Sequence, residues 1–256
     1  MIKTISIIGS GNVAHHIGVI LKNKHFQILQ NYSRNIQNAR NLASQIGSSP
    51  ISNISELSVT ADLYIIAVPD SAITKVVELM PLLDGIIAHT SGSTPLKTLG
   101  KFRNHGVFYP VQTFIKNKSL NSNNDFPILI ESNNLKTNEK LLELANTCSD
   151  KVQAIDSVGR KKLHVSAVIL NNFSNHLFHM VENYTNAEKI NFQLLIPLLK
   201  ETFLKLENHP ASRSQTGPAI REDNTTIQDH LKMLKENPQL HDLYAFMSHS
   251  IQKLNN

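Results

Sequence analysis

The segment that most constrains the fold is the start of the chain, where an apolar strand pattern runs directly into a glycine turn. Residues 3–8 are followed by the pattern G-x-G-x-x-A and then by a helical pattern over residues 13–21. The first glycine, Gly9, permits the tight turn, and the second, Gly11, lets the backbone approach a pyrophosphate. The small Ala14 lets the helix pack close to the strand, and the free N–H groups of the helix start can face the phosphates.

The alternative to a dinucleotide site is an ordinary glycine-containing turn between a strand and a helix. The motif alone is weak, but its position after a strand and before a helix favours the first unit of a Rossmann fold. We therefore predict that the turn binds a dinucleotide cofactor through Gly9, Ser10, Gly11, Asn12 and Val13.

The end of the second predicted strand, residues 26–31, indicates which dinucleotide binds. An NAD site usually places Asp or Glu about 20 residues beyond the glycines, but this chain has no acidic residue before Glu56. The strand leads instead into Ser33, which can donate a hydrogen bond, and Arg34, which can bind a 2′-phosphate with two N–H groups. Arg40 is a candidate to assist. Arg34 could also be a solvated loop cation, but the missing carboxylate favours NADP(H) over NAD(H).

Length, charge and cysteine content exclude several classes of protein. The 256 residues have room for a Rossmann domain and a smaller second domain. The net charge of +5 comes from scattered cations, so no nucleic-acid partner is expected. Cys148 is the only cysteine, which excludes a disulfide framework and a cysteine metal site. No signal peptide precedes the first strand, and the longest uncharged stretch, residues 163–181, holds three His and three Asn; we expect a cytoplasmic protein without a membrane span.

Strand and helix patterns alternate up to residue 156, and only helical patterns follow. We predict an α/β fold with an N-terminal Rossmann parallel-sheet domain over residues 1–156 and a C-terminal all-helical domain over residues 157–256. A polar stretch at residues 116–125 is predicted to be a mobile loop. Ligands of such sheets bind beyond the carboxyl ends of the strands. One crevice beside the nicotinamide should therefore be lined by Val68, Pro69, Asp70, Thr90, Ser91, Tyr109 and Pro110, with Asp70 also suited to cap the helix that follows it.

A helix predicted over residues 160–182 has two unlike faces. Its apolar residues spread over so much of the circumference that a helical domain of roughly 100 residues cannot easily cover them, and we expect a homodimer through this domain. The opposite stripe lacks charge and consists of His164, Asn171, Asn172, Asn175 and His179. Such a stripe suits an active-site wall and a solvated or interface helix equally well. His176 and His179 have a spacing compatible with a metal ion, but no third ligand is evident, so no metal is expected.

Six motifs in order carry a resemblance to one known family. They are Gly9-x-Gly11-Asn12-Val13-Ala14, Val68-Pro69-Asp70, His89-Thr90-Ser91-Gly92-Ser93, Tyr109-Pro110-Val111-Gln112-Thr113-Phe114, Asn171-Asn172-Phe173 and Thr216-Gly217-Pro218. Over nearly its whole length the chain resembles the Rossmann-like proteins with a C-terminal domain of unknown function 2520, which are assigned as NADP oxidoreductases. More distantly it is similar to pyrroline-5-carboxylate reductases and the 6-phosphogluconate dehydrogenase superfamily. The resemblance implies an N-terminal NADP domain, an all-helical second domain and dimerisation through that second domain.

The chain departs from the hydroxyacid dehydrogenases of that superfamily at one catalytic position. Those enzymes carry Lys-x-x-x-Asn on the first helix of the second domain. Here Lys161 and Lys162 are followed four residues later by Val165 and Ser166. The catalytic lysine of those enzymes therefore cannot be carried over to this chain.

Two functions are compatible with these residues. The first is an NADP-dependent oxidoreductase that transfers hydride to a small imine or carbonyl substrate at the interdomain cleft. His164 is the first candidate proton donor, because imidazole titrates near neutrality, and Tyr109 is the second. Asn172 and Ser91 would orient the substrate. The alternative is a non-catalytic NADP(H)-binding sensor or partner-binding protein, which the missing lysine and the lack of an obvious acid–base pair favour.

Overall fold

The computed structural model describes residues 1–115 and 126–254. The chain divides into two compact units, Met1–Val168 and Ile169–Asn256, which we call the sheet unit and the helical unit. The loop predicted at residues 116–125 lies outside the described residues. The predicted domain boundary, between residues 156 and 157, falls at the start of a helix that belongs to the sheet unit. That residues 1–156 bind the cofactor and residues 157–256 form the substrate and dimerisation domain stays a prediction.

The sheet unit is built on eight strands. In chain order they are β1 (Thr4–Ile8), β2 (Gln27–Tyr32), β3 (Ser49–Ile51), β4 (Leu63–Ile66), β5 (Ile86–His89), β6 (His105–Pro110), β7 (Ile128–Ser132) and β8 (Val152–Ala154). Across the sheet the order is β3-β2-β1-β4-β5-β6-β7-β8, and all neighbours are parallel except β6 and β7. The predicted Rossmann sheet is confirmed with that exception.

The helices of the sheet unit are α1 (Asn12–Asn23), α2 (Ile36–Ile46), α3 (Asp70–Leu79), α4 (Leu135–Cys148) and α5 (Ser157–Ala167). They cover both faces of the sheet, as the alternation along β4 shows. Leu63 and Ile65 share a core cluster with residues of α1 and α4, whereas Tyr64 and Ile66 share another with residues of α3. Burial on both faces explains the continuous apolar runs of the central strands.

The helical unit contains α6 (Ser174–Ala187), α7 (Ile196–Asn208), α8 (Asn224–Met233) and α9 (Pro238–Lys253), and its described residues include no strand. The backbone is helical throughout the predicted range 160–182, but it is not one regular α-helix, because α5 and α6 are joined by a π-helical segment, Val168–Phe173. A π-helical segment changes the number of residues per turn. The uncharged stripe from His164 to His179 was predicted on the assumption of 3.6 residues per turn throughout. It is therefore not one continuous helix face.

The described residues contain neither a membrane-spanning helix nor a cluster of metal-binding side chains. No helix there is both long enough and apolar enough to cross a membrane. No group of three or more His, Cys, Asp or Glu side chains there could hold a metal ion. The rings of His176 and His179 lie 6.5 Å apart between centroids.

Candidate functional site

A cavity of about 860 Å³ opens at the carboxyl ends of β1, β2, β4 and β5. It is lined by Gly9, Ser10, Gly11, Asn12, Val13, Tyr32, Ser33, Arg34, Asn35, Asn38, Ala67, Val68, Pro69, Asp70, Ala72, Lys75, Val76, Leu79 and Thr90. Every residue predicted to bind the cofactor is among them except Ser91 and the assisting Arg40. The residues brought together here come from four segments of the chain, because parallel strands present their carboxyl ends at one edge of a sheet. The cofactor contact of each residue stays a prediction.

The two glycines of the turn have different structural roles. Gly9 has a φ of +129°, and a Cβ there would overlap the carbonyl oxygen of Ala67. Gly11 is the N-cap residue of α1 with an ordinary φ of −78°, and a Cβ there would meet no protein atom within 4 Å. Gly9 is therefore required by the fold, whereas the space at Gly11 belongs to the cavity and fits a pyrophosphate.

A buried asparagine connects the end of β2 to the glycine turn. The side-chain amide of Asn31 donates to the carbonyl oxygens of Gly9, at 2.7 Å, and Ile7, at 3.3 Å. Next to it, Ser10 Oγ donates to Ser33 Oγ at 2.9 Å. These bonds fix the predicted 2′-phosphate residues relative to the predicted pyrophosphate turn. No sequence pattern indicated Asn31, because its role depends on the parallel pairing of β1 and β2.

The cavity is lined by two exposed cations. Arg34 lies just after β2, and Lys75 projects from α3, where Ala72, Val76 and Leu79 line the same cavity with helical spacing. The salt bridges among the described residues leave both cations without a carboxylate partner. Arg40, expected to assist Arg34, does not line the cavity. Lys75 was missed because its sequence neighbourhood reads as an ordinary amphipathic helix.

Asp70 connects the cavity to the loop after β5. It was predicted to cap α3, but Pro69 is the N-cap residue and Asp70 is the first residue of the helix. Its carboxylate instead accepts a hydrogen bond from Ser93 Oγ at 2.5 Å. The cap prediction is wrong because this tertiary partner engages the carboxylate.

Tyr109 and His164, predicted as rival proton donors, form a hydrogen-bonded pair. Tyr109 Oη lies 3.0 Å from His164 Nδ1, and the two rings meet edge to face with centroids 5.9 Å apart. Tyr109 is buried at the end of β6, and His164 is half-buried on α5. The pair joins residues 55 positions apart in the chain, so local sequence patterns could not indicate it.

Burial and nearby charges set the protonation of this region. Burial raises the pKa of the Tyr109 phenol above its usual value of 10, the Asp70 carboxylate raises it further, and the Arg160 guanidinium opposes both. Burial and then Arg160 lower the pKa of His89 to about 4. At neutral pH the Tyr109 phenol therefore keeps its proton and His89 is uncharged. The neutral His89 accepts a hydrogen bond from the Ser91 N–H through Nδ1 at 3.2 Å.

Ser91 and Asn172, expected to orient a substrate, lie in different units. The Ser91 hydroxyl oxygen accepts hydrogen bonds from the N–H groups of Ser93, at 3.1 Å, and Thr94, at 2.9 Å. It thereby shapes the loop after β5. Asn172 is exposed in the π-helical segment.

The segment that follows β6 is attached to the start of α1. The Asn12 side-chain amide donates to the carbonyl oxygen of Phe114 at 2.9 Å. One turn later His16 Nε2 contacts the carbonyl oxygen of Ile115 at 2.9 Å, and its ring stacks on Phe114. The Asn12 side chain thus fixes a backbone segment, while its own N–H stays part of the predicted pyrophosphate site.

Two family descriptions match separate parts of the chain. Residues 4–88 match the NADP oxidoreductase family described as coenzyme F420-dependent. Residues 126–251 match the domain of unknown function DUF2520. No curated protein matches the sequence.

Solved structures extend the likeness to almost the whole chain. A Bacteroides fragilis protein assigned as an NADP oxidoreductase is 34% identical, with 98% of each chain covered and a TM-score of 0.89. The fold is shared with an imine reductase of Myxococcus stipitatus in complex with NADP+ (12% identity, 98% and 93% coverage, TM-score 0.67). It is also shared with a 1-pyrroline-5-carboxylate reductase of Streptococcus pyogenes (12% identity, 98% coverage of both chains, TM-score 0.62). The chain belongs to the NADP oxidoreductases that join a Rossmann domain to DUF2520, and its cofactor is NADP(H).

Proposed function

We propose that this oxidoreductase transfers hydride from NADPH to a small imine or carbonyl compound at the interdomain cleft. The observation that carries the proposal is the hydrogen bond between Tyr109 and His164. It supplies the acid–base pair that such a reduction needs, on the same sheet edge as the cofactor cavity. The imine reductase and pyrroline-5-carboxylate reductase folds support a small substrate with a C=N or C=O bond.

The residues of the cavity fit the two charged parts of NADPH. The pyrophosphate is proposed to lie over Gly11 against the N–H groups of Asn12 and Val13, where a helix start favours negative charge. The 2′-phosphate is proposed to contact Ser33 and Arg34, which lie next to that turn through the bond from Ser10 to Ser33.

Proton delivery is assigned to Tyr109 and His164 together. When bound, NADPH supplies hydride to the substrate carbon, and the electron pair of the double bond moves to the nitrogen or oxygen. Tyr109 donates its phenolic proton to that atom. His164 returns a proton from Nδ1 to the phenolate through the 3.0 Å hydrogen bond and takes up a proton from water at Nε2. The products are an amine or alcohol and NADP+. Ser91 and Asn172 are proposed to orient the substrate.

The alternative of a non-catalytic sensor rested partly on the lack of an acid–base pair. Tyr109 and His164 remove that argument. The proposed reaction also does not need the missing lysine. Its proton donor, Tyr109, lies on β6 and not on the first helix after the sheet.

We propose that the protein is a cytoplasmic homodimer assembled through the helical unit. In the π-helical segment Ile169, Leu170 and Phe173 are 50%, 74% and 61% exposed. Large apolar side chains of α7 and α9, such as Leu198 and Phe246, are exposed as well. So much apolar surface is typical of a protein–protein interface. The single buried cysteine, Cys148, fits a reducing compartment.

The proposed reaction predicts substrate-dependent NADPH oxidation in a screen of cyclic imines and 2-oxo acids. With the best substrate, Tyr109→Phe should lower kcat by about 10²-fold or more, because it removes the proton donor, and should leave NADPH affinity within about twofold. Tyr244→Phe is the matched control, since it removes a similar Tyr–His hydrogen bond (2.8 Å, to His230) in the helical unit. NADPH binding without oxidation by any compound would instead favour the sensor.

The assignment of the 2′-phosphate site predicts that NADPH binds at least about tenfold more tightly than NADH, or about 1.4 kcal/mol, because a charge-assisted contact is worth that much. Arg34→Gln should weaken NADPH binding and leave NADH binding unchanged, as measured by calorimetric titration. Arg40→Gln is the control, because Arg40 lies outside the cavity. Equal affinities in the wild-type protein would contradict the assignment.

The pyrophosphate assignment predicts opposite results at the two glycines. Gly11→Val should retain the circular dichroism spectrum and thermal midpoint, because a Cβ at this position meets no protein atom within 4 Å, yet abolish NADPH binding. Gly9→Val should destabilise the protein itself, because of the overlap with Ala67. Normal NADPH binding by Gly11→Val would show that the turn is only structural.

The dimer proposal predicts a mass of twice 28.6 kDa by light scattering at micromolar concentration. Introducing charge at the exposed apolar segment with Leu170→Glu and Phe173→Glu should give monomers. Leu135→Glu, at a side chain 82% exposed on the sheet unit, should remain dimeric. A monomeric wild-type protein would refute the dimer.

A further inference from the structure

A buried arginine joins three elements of the sheet unit. Arg160 of α5 is 1% exposed, although an arginine rarely lies in the interior. Its Nη1 donates to three backbone carbonyls of the loop after β5, those of Ser91 (3.0 Å), Gly92 (3.3 Å) and Thr94 (2.9 Å). Its Nη2 donates to Glu131 Oε2 of β7 at 2.8 Å and to Ser157 Oγ at 3.1 Å. A buried charge persists only when its partners are in place.

The loop held by Arg160, residues 91–94, is in close contact with the proposed acid–base pair. A Cβ on Gly92 would lie 2.5 Å from His164 Nδ1 and 2.8 Å from Tyr109 Cζ. The bare backbone of Gly92 therefore packs against both rings. Any displacement of this loop changes the space in which the two rings approach each other. Arg160 also lies one helical turn before His164 on α5, so one helix carries both groups.

We propose that Arg160 is a positioning residue, which holds the carbonyls of the 91–94 loop so that Gly92 packs against Tyr109 and His164 and fixes their hydrogen bond. The inference rests on the proposed function, because it assigns Arg160 to the geometry of the proton-delivering pair. Two features separate this role from a general structural tie. All three loop contacts are to backbone carbonyls of the loop whose Gly92 packs against the pair, and the salt bridge to Glu131 connects that loop to a strand outside the cavity.

The charge of Arg160 acts on the same pair. The charged and titratable groups that face Tyr109 are His164, through the hydrogen bond, Asp70, which raises the pKa of the phenol, and Arg160, which lowers it. Removal of the guanidinium charge should therefore raise the phenol pKa further. Arg160→Lys keeps the charge but not the fork, in which Nη1 reaches the loop carbonyls while Nη2 reaches Glu131.

The test measures the ring nitrogens of His164 by ¹⁵N NMR in the full-length protein, with Tyr109→Phe as the reference in which the hydrogen bond is lost. Gly92→Ala leaves the salt bridge of Arg160 intact, and we expect it to shift the Nδ1 signal to the Tyr109→Phe value. Arg160→Lys should give an intermediate shift and Arg160→Met the full shift. Gly100→Ala, where a Cβ would approach only the Lys97 carbonyl oxygen and neither ring, should leave the signal unchanged. NADPH affinity should stay within about twofold, whereas turnover of the screened substrate should fall by about 100-fold in Gly92→Ala.

Gly92→Ala tests the packing of the loop on the two rings, and Arg160→Lys tests the role of Arg160 in holding that loop. If either variant leaves the Nδ1 signal and turnover at wild-type values, the inference is overturned. Should Arg160→Met fail to fold, these two variants still decide the question. Failure of the proposed function has a separate signature, which is unchanged turnover in Tyr109→Phe.

Discussion

The close approach between Gly9 and the Ala67 carbonyl is the constraint on which the cofactor cavity depends. No other residue fits there, because a Cβ would overlap that carbonyl and φ is positive. With the turn held against the end of β4, α1 begins at the edge where the strands end, and its first residues line the cavity. Asn31 and the bond from Ser10 to Ser33 then attach the end of β2 to the turn. The predicted phosphate contacts all follow from this arrangement.

A second set of contacts extends from the cavity towards Tyr109 and His164. Asp70 lies on the cavity and accepts a hydrogen bond from Ser93. Ser93 belongs to the loop whose carbonyls bind Arg160 and whose Gly92 packs against the two rings. The cavity and the proposed acid–base pair are therefore linked through one short loop of the sheet unit. This link makes a hydride transfer coupled to proton delivery a physically coherent proposal.

The sequence predicted those parts of the fold and site that depend on local chemistry. The strand–glycine turn–helix unit, the Rossmann sheet, and the convergence of residues 9–13, Ser33 and Arg34 follow from spacing and strand polarity. Other features depend on tertiary contacts between distant residues. Arg160 stands in a basic stretch that reads as solvent-exposed, yet it is buried. The partnership of Tyr109 and His164 spans 55 positions, and the π-helical segment replaces a helix whose apolar pattern looked regular.

The central claim, that NADPH lies in this cavity and delivers hydride beside Tyr109 and His164, is tested most directly by a crystal structure of the NADP+ complex. We expect the pyrophosphate on the N–H groups of residues 11–13 and the 2′-phosphate on Ser33 and Arg34. We also expect a substrate-sized space between nicotinamide C4 and Tyr109 Oη, in which a carbon can lie about 3–3.5 Å from C4. A nicotinamide turned away from Tyr109, or a 2′-phosphate in open solvent, would contradict the account.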